Sequence, residues 1–185
     1  MKNTKVMLVP LKEDDREQFI LDNQRSFKFG AMEEFGERDS HFEEGEEIIS
    51  RATIEHSIDA PSSEAYRIVL DGRNVGGVVL AIDRETNRNE LELLFVNPEE
   101  HSRGIGYGAW QAVEALHPET RVWETCTPYF EKRNIHFYVN KCKFHIVEFF
   151  CAQNIDPNDP ELPPDGESGS PKDGGEMFRF EKVMK

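Results

Sequence analysis

The chain has 185 residues, enough for one domain with a sizeable core. An apolar content of 37% with 13 glycines is too high for a disordered tail and too low for a membrane-embedded chain. Lys and Arg number 22 against 36 Asp and Glu, a net charge of −14 that repels a phosphate backbone and argues against nucleic acid as a partner.

In chain order, Met1 to Leu11 has neither the long apolar region nor the small-residue cleavage site of a signal peptide, so Lys5–Leu11 reads as a retained first strand. Phe19, Ile20, Asn23 and Phe27 recur at helical spacing, which predicts a helix from Lys12 to Phe29 with Gly30 as its stop. Between Met32 and Glu64 eleven acidic residues face two arginines, and Ile48, Ile49, Ala52, Ile54 and Ile58 mark a second helix with the acids on its wet side. The period then changes to that of a strand: Ala65–Leu70, the turn Asp71-Gly72 and Val75–Ile82 form a hairpin. Glu90–Val96 adds a third strand, which Pro98 must end because it removes a ladder donor. Ile105, Ala109, Ala112, Val113 and Leu116 lie on one helical stripe, followed by a strand at Arg121–Cys126. Strand, helix and strand in this order predict a crossover between two parallel strands. A helix over Tyr129–Asn140, a strand over Phe144–Phe150 and a last strand over Met177–Met184 complete the chain.

Gln153–Glu176 carries seven acids against Lys172 and is rich in Pro, Gly and Ser, so a mobile acidic loop is expected at 153–176 within a single domain spanning 1–185. The longest apolar runs, such as Val78–Ile82, fall far short of the ~18 residues of a membrane span. Three cysteines, Cys126, Cys142 and Cys151, lack Cys-x-x-Cys spacing, which fits a reducing cytoplasm and no metal site. Cys126 and Cys142, beside apolar strands, read as buried hydrophobes, as Trp110 and Trp123 read as packing residues.

The most informative segment is Val96-Asn97-Pro98 followed by His101-Ser102-Arg103-Gly104-Ile105-Gly106-Tyr107-Gly108. Glycines at 104, 106 and 108 remove Cβ atoms where a helix begins, so its first unpaired N–H groups can approach an anion, and the helix dipole favours a phosphate there. A P-loop would need Gly-Lys-Ser/Thr after the turn, where Tyr107 and Gly108 stand. A dinucleotide fingerprint is matched formally by Gly104-x-Gly106-x-x-Ala109 with Glu124 twenty residues beyond Gly104. The intervening Pro98 and the preceding hairpins speak against it, and a turn needed only for close helix packing is a further reading.

At these residues the sequence resembles the GNAT superfamily of acyl-CoA-dependent N-acyltransferases, whose signature is a strand ending in Val-x-Pro and then Arg/Gln-x-x-Gly-x-Gly/Ala. His101 stands at the first basic position. The run Phe137-Tyr138-Val139-Asn140-Lys141-Cys142-Lys143-Phe144 is similar to the family's second signature, with Lys143 where a glycine is usual. The resemblance implies an α/β fold with a central, mostly antiparallel sheet, splayed between two parallel strands and covered by helices on both faces. It implies acetyl-CoA as cosubstrate, with the main chain of Leu94, Phe95 and Val96 on the pantetheine and an amide near Phe95 or Val96 polarising the thioester. His101, Arg103, Gly104, Ile105, Gly106, Tyr107 and Gly108 would take the pyrophosphate end, and Asn134 would bond the cofactor. Glu92 would deprotonate the amine and Tyr138 would protonate the departing thiolate. A solvated carboxylate and a core aromatic are the alternatives at these two positions.

The function implied is transfer of an acetyl group to a primary amine by direct attack in a ternary complex. A cationic small-molecule or peptide amine suits the acidic surface, and a homodimer is left open. The competing reading is a non-catalytic CoA-binding module of the same fold. The acidic segments at 32–64 and 153–176 are expected to set acceptor choice.

Overall fold

The computed structural model describes residues 5–35, 47–101, 103–157 and 176–185. The loop expected at 153–176 lies largely outside them, as does most of the acidic stretch before Glu47.

Seven strands form one sheet: β1 (Met7–Pro10), β2 (Ser63–Leu70), β3 (Arg73–Ala81), β4 (Arg88–Val96), β5 (Val122–Pro128), β6 (His145–Phe150) and β7 (Met177–Val183). Their order is β1-β2-β3-β4-β5-β7-β6, and every neighbouring pair is antiparallel except β4 and β5. The hairpin between β2 and β3 closes at Asp71 (φ 50°) and Gly72 (φ 76°), the pair of positive φ values that matches strand twist in a two-residue turn. The connection from β4 to its parallel neighbour is α3 (Ile105–Leu116), which agrees with the stripe read from the sequence.

The two faces of the sheet are covered differently. On one, α1 (Arg16–Phe35) and α2 (Arg51–Asp59) bury Phe19, Ile20 and Ile54 against Val79, Leu93 and Phe95. On the other, Trp110 and Val113 of α3 and Tyr138 pack against Val78, Leu80, Leu91, Trp123 and Phe180. The start of α1 is pinned to β2 by the buried Arg67, whose Nε and Nη1 donate to Asp15 at 2.6 Å and Asp22 at 2.9 Å. Ser50 caps α2, its Oγ accepting from the Thr53 N–H at 3.0 Å.

Two boundaries differ from those expected. Gly30 does not stop α1, which runs on to Phe35 because the next turn still buries Ala31. The helix expected over Tyr129–Asn140 is a single α turn, α4 (Lys132–His136), that widens into a π turn at Phe137–Lys141. The π turn ends at Lys143, which takes φ 67°, the left-handed conformation of the glycine it replaces. Its Nζ reaches back to the Asn140 carbonyl at 2.8 Å.

Candidate functional site

The site begins where two strands stop pairing. β4 and β5 are in register at Arg88↔Val122, Asn89↔Trp123 and Glu90↔Glu124, and no further. At the next residue the Leu91 carbonyl accepts from the Thr125 Oγ1 at 2.8 Å, so a side chain takes the bond that a main-chain N–H would need to continue the ladder. The register with β3 also shifts here, with Val79 opposite Leu93 and Leu80 opposite Leu91, leaving Glu92 as the extra residue of a bulge.

Beyond the bulge the main-chain ladder of β4 runs to β3 alone. The Asn97 N–H donates to the Val75 carbonyl at 2.8 Å, and a Cβ on Gly76 would fall 2.2 Å from the Phe95 carbonyl oxygen. Phe95 and Asn97 therefore turn their main chain toward β3, and by strand alternation Leu94 and Val96 turn theirs into the opening. This amends the expectation for Phe95, whose polar main-chain groups are spent within the sheet. The Val96 carbonyl is met by His101 Nε2 at 2.9 Å, which fixes the proton on Nε2 and leaves Nδ1 a buried acceptor without a partner among the described residues. His101 thus does at the end of β4 what its place in the sequence did not reveal.

A cavity of about 410 Å³ occupies the opening and extends to the start of α3, with Leu94, Val96, Gly104, Asn134 and Tyr138 among its walls. Gly104 caps α3 at φ 72° with no side-chain cap. The first intrahelical bond runs from the Gly108 N–H to the Gly104 carbonyl at 3.0 Å. The N–H groups of Ile105, Gly106 and Tyr107 are thus the unpaired ones, and all three residues line the cavity. Gly108 does not belong to this cradle: its N–H is used, and a Cβ there would come within 3.1 Å of Val6, so its smallness serves packing against the strand entry. Arg103 also falls outside it, its guanidinium donating to Glu100 at 2.9 Å on the exposed side. Glu100, buried, is shared with Arg73 at 3.0 Å.

Tyr138 reaches the opening from the π turn, its ring among Phe137, Phe144 and Phe180. Burial raises its phenol well above the usual range, so the group is protonated at any physiological pH. Asn134 lines the same wall, with its Nδ2 3.5 Å from Thr127 Oγ1.

Glu92, expected as the base, sits half-buried at the bulge, as Glu90 does beside it, and neither lines the cavity. Its neighbour Glu90 is the more perturbed carboxyl. Burial, then the charges of Glu92, Glu124 and Asp156, push Glu90 up to about 7. Leu91 and Trp123 belong to the α3-side core, so Glu90, Glu124 and Cys126 project from the other face, the one α1 covers. Burial and the Glu90 charge push the Cys126 thiol up to about 12, which keeps it un-ionised and poorly nucleophilic. The sequence reading named Glu92 alone and passed over Glu90, since what separates the two is the register of β4 against β5. Among the described residues no group of three His, Cys, Asp or Glu could hold a metal ion, and no helix is long and apolar enough to cross a membrane.

Comparison with known proteins points the same way. A model of the Acetyltransferase (GNAT) family matches residues 24–144. The uncharacterized protein YrkN of Bacillus subtilis (strain 168) is 46% identical over 183 residues, covering 98% of this chain and 95% of that protein. An acetyltransferase from Thermus thermophilus superposes with a TM-score of 0.66 at 15% identity, covering 100% of both chains. A GNAT family acetyltransferase from Elizabethkingia anophelis with acetyl-CoA bound gives 0.64 at 14% identity, covering 97% of this chain and 99% of that one. Spermidine/spermine N-acetyltransferase SpeG from Vibrio cholerae gives 0.60 at 13% identity, covering 97% and 92%. An unpaired strand edge that leads to an open helix N-terminus, and a family match across both, make this chain a member of the GNAT acetyltransferase family.

Proposed function

We propose that the protein transfers the acetyl group of acetyl-CoA to a primary amine by direct attack within a ternary complex. The observation that carries this is the run of main-chain groups without a partner among the described residues, from Leu94 and the Val96 N–H to the N–H groups of Ile105, Gly106 and Tyr107, all along one cavity wall. An extended chain with amides and a diphosphate at one end matches that order of donors and acceptors. Pantetheine would add to β4 as a short strand, and the pyrophosphate would sit on α3, where N–H groups and dipole favour an anion. A main-chain N–H of Leu94 or Val96 would also stabilise the negative charge that grows on the thioester oxygen during attack.

The amine must lose a proton and the thiolate must gain one. Glu90 is suited to the first task, since a carboxyl near 7 is part-ionised at neutral pH and accepts a proton from an ammonium or an attacking amine through an intervening water. Tyr138 is the candidate for the second, a phenol held protonated by burial on the cavity wall, where it can hydrogen-bond and donate to the departing thiolate. The nitrogen–carbon bond forms as the carbon–sulfur bond breaks. One proton passes to Glu90 and one leaves Tyr138, which solvent then restores. Glu92 contributes by its charge, which raises Glu90.

Acetyl transfer is separated from cofactor binding alone by one experiment: thermal shift with CoA and with NAD, followed by thiol release from acetyl-CoA over a panel of primary amines. Stabilisation by CoA with amine-dependent thiol release is the expected result. CoA binding with no turnover on any amine would leave the binding module, and stabilisation by NAD instead would leave neither.

A further inference from the structure

His101 makes one bond and forgoes another. Its Nε2–H donates to the Val96 carbonyl at 2.9 Å, while Nδ1, on the other side of the ring, is buried without a partner among the described residues. A buried acceptor left unpaired is costly, so packing alone does not account for a histidine here. The ring is brought to the strand by the short turn Pro98–Glu100, which folds the chain back on the end of β4, and Phe29 of α1 packs against it in a T-shaped contact with centroids 5.4 Å apart. Both His101 and Val96 line the cavity.

What the bond removes is one of four main-chain groups. A strand residue turns its N–H and C=O to the same side, so Leu94 and Val96 together would offer the opening two donors and two acceptors. With the Val96 carbonyl taken, the Leu94 carbonyl is the one acceptor left on this edge among the described residues. Resting on the acetyl-transfer reading above, the pantetheine arm extends from a diphosphate at the start of α3 and carries two amide N–H groups in search of a carbonyl. Val96 is the nearer of the two strand residues to α3. An arm gripped there would stop two residues, about 7 Å, short of one gripped at Leu94, and its thioester would not reach the far end of the opening. We infer that His101 is a positioning residue that withholds the Val96 carbonyl from the cofactor, so that the arm is drawn out to Leu94. The device works by removing a competing acceptor, not by adding a contact.

The test compares the wild type with His101→Ala, which opens the carbonyl, and His101→Gln, which keeps a side-chain N–H donor. CoA affinity and thermal shift are measured for each, and acetyl-CoA kinetics with whichever amine of the panel above releases thiol fastest. His101→Ala should bind CoA as tightly as the wild type or up to about tenfold more tightly. Its kcat and acetyl-CoA KM should fall together, by about three- to tenfold, with kcat/KM little changed, the mark of a cofactor held in a second, unproductive register. His101→Gln should restore both. Amide exchange reads the register without turnover: CoA should protect the Leu94 N–H less in His101→Ala than in the wild type, with the Val96 N–H protected in both. His101→Leu, which keeps bulk against Phe29, carries the test if His101→Ala does not fold. A raised acetyl-CoA KM with lowered kcat/KM, a glutamine variant that behaves as the alanine one, or equal Leu94 protection with and without the histidine overturns the inference and leaves His101 a structural residue. A wild type that shows no CoA shift would overturn the acetyl-transfer reading, and this inference with it.

Discussion

The two ends of β4 have opposite neighbours. At Arg88–Glu90 the strand is paired on both sides, and the side chains of Arg88 and Asn89 are spoken for. Arg88 bridges Glu124 and Glu181, Arg179 reaches Glu124, Glu148 and Glu181, and the buried Asn89 donates to Thr120 at 2.7 Å while accepting from the Asp83 N–H at 2.9 Å. At Leu94–Val96 only β3 is present, and the groups around the opening, Ser26 Oγ and His101 Nδ1 among them, lack partners among the described residues. Both ends belong to one strand. The difference teaches that this site is made by withholding pairing, with Thr125 and the Glu92 bulge as the devices that stop it.

Substitutions at Glu90 and at the opening should change rate, and substitutions at the supporting residues should change stability. Glu90→Gln should lower kcat by about 10²-fold or more with CoA binding retained. In the parent protein kcat/KM should rise with pH through about 7 as Glu90 ionises. Glu92→Gln removes a like charge, favours the ionised form, and should move that inflection to lower pH. A flat profile across this range would remove Glu90 as the base. Tyr138→Phe should cost about 10-fold to 10²-fold in kcat with the acetyl-CoA KM little altered; equal turnover would return Tyr138 to the core aromatics.

Smaller effects are expected at the supports. Gly76→Ala forces a methyl against the Phe95 carbonyl, and thermal unfolding should show a loss of about 1–3 kcal/mol. Lys143→Gly should do the reverse, gaining up to about 1 kcal/mol, because a non-glycine residue at φ 67° costs roughly 1–2 kcal/mol and glycine's greater chain entropy takes back part of the gain. A lower Tm for Lys143→Gly would mean that the lysine's bond to Asn140 outweighs its backbone strain.

Local chemistry was readable from the residues. Asp71-Gly72 has the residue types of a two-residue hairpin turn, Pro98 ends a strand, and Ile105–Leu116 carries one apolar stripe; each is found where expected. Facing was not. Whether Glu90 or Glu92 is buried, and whether Phe95 or its neighbours point into the opening, depends on a one-residue bulge and on which partner strand is in register. Neither leaves a mark on composition or periodicity. The same holds for Gly108, whose glycine is explained by Val6 across the fold.

The central claim is that the Leu94 main chain and the Val96 N–H, and not the Phe95 main chain, are free to bind the cofactor. Amide hydrogen exchange by NMR, with and without CoA, reads this residue by residue. Leu94, Val96, Ile105, Gly106 and Tyr107 should gain protection on binding, while Phe95, already bonded to β3, should change least. Binding of CoA that leaves Leu94 and Val96 exchanging as before would contradict the account.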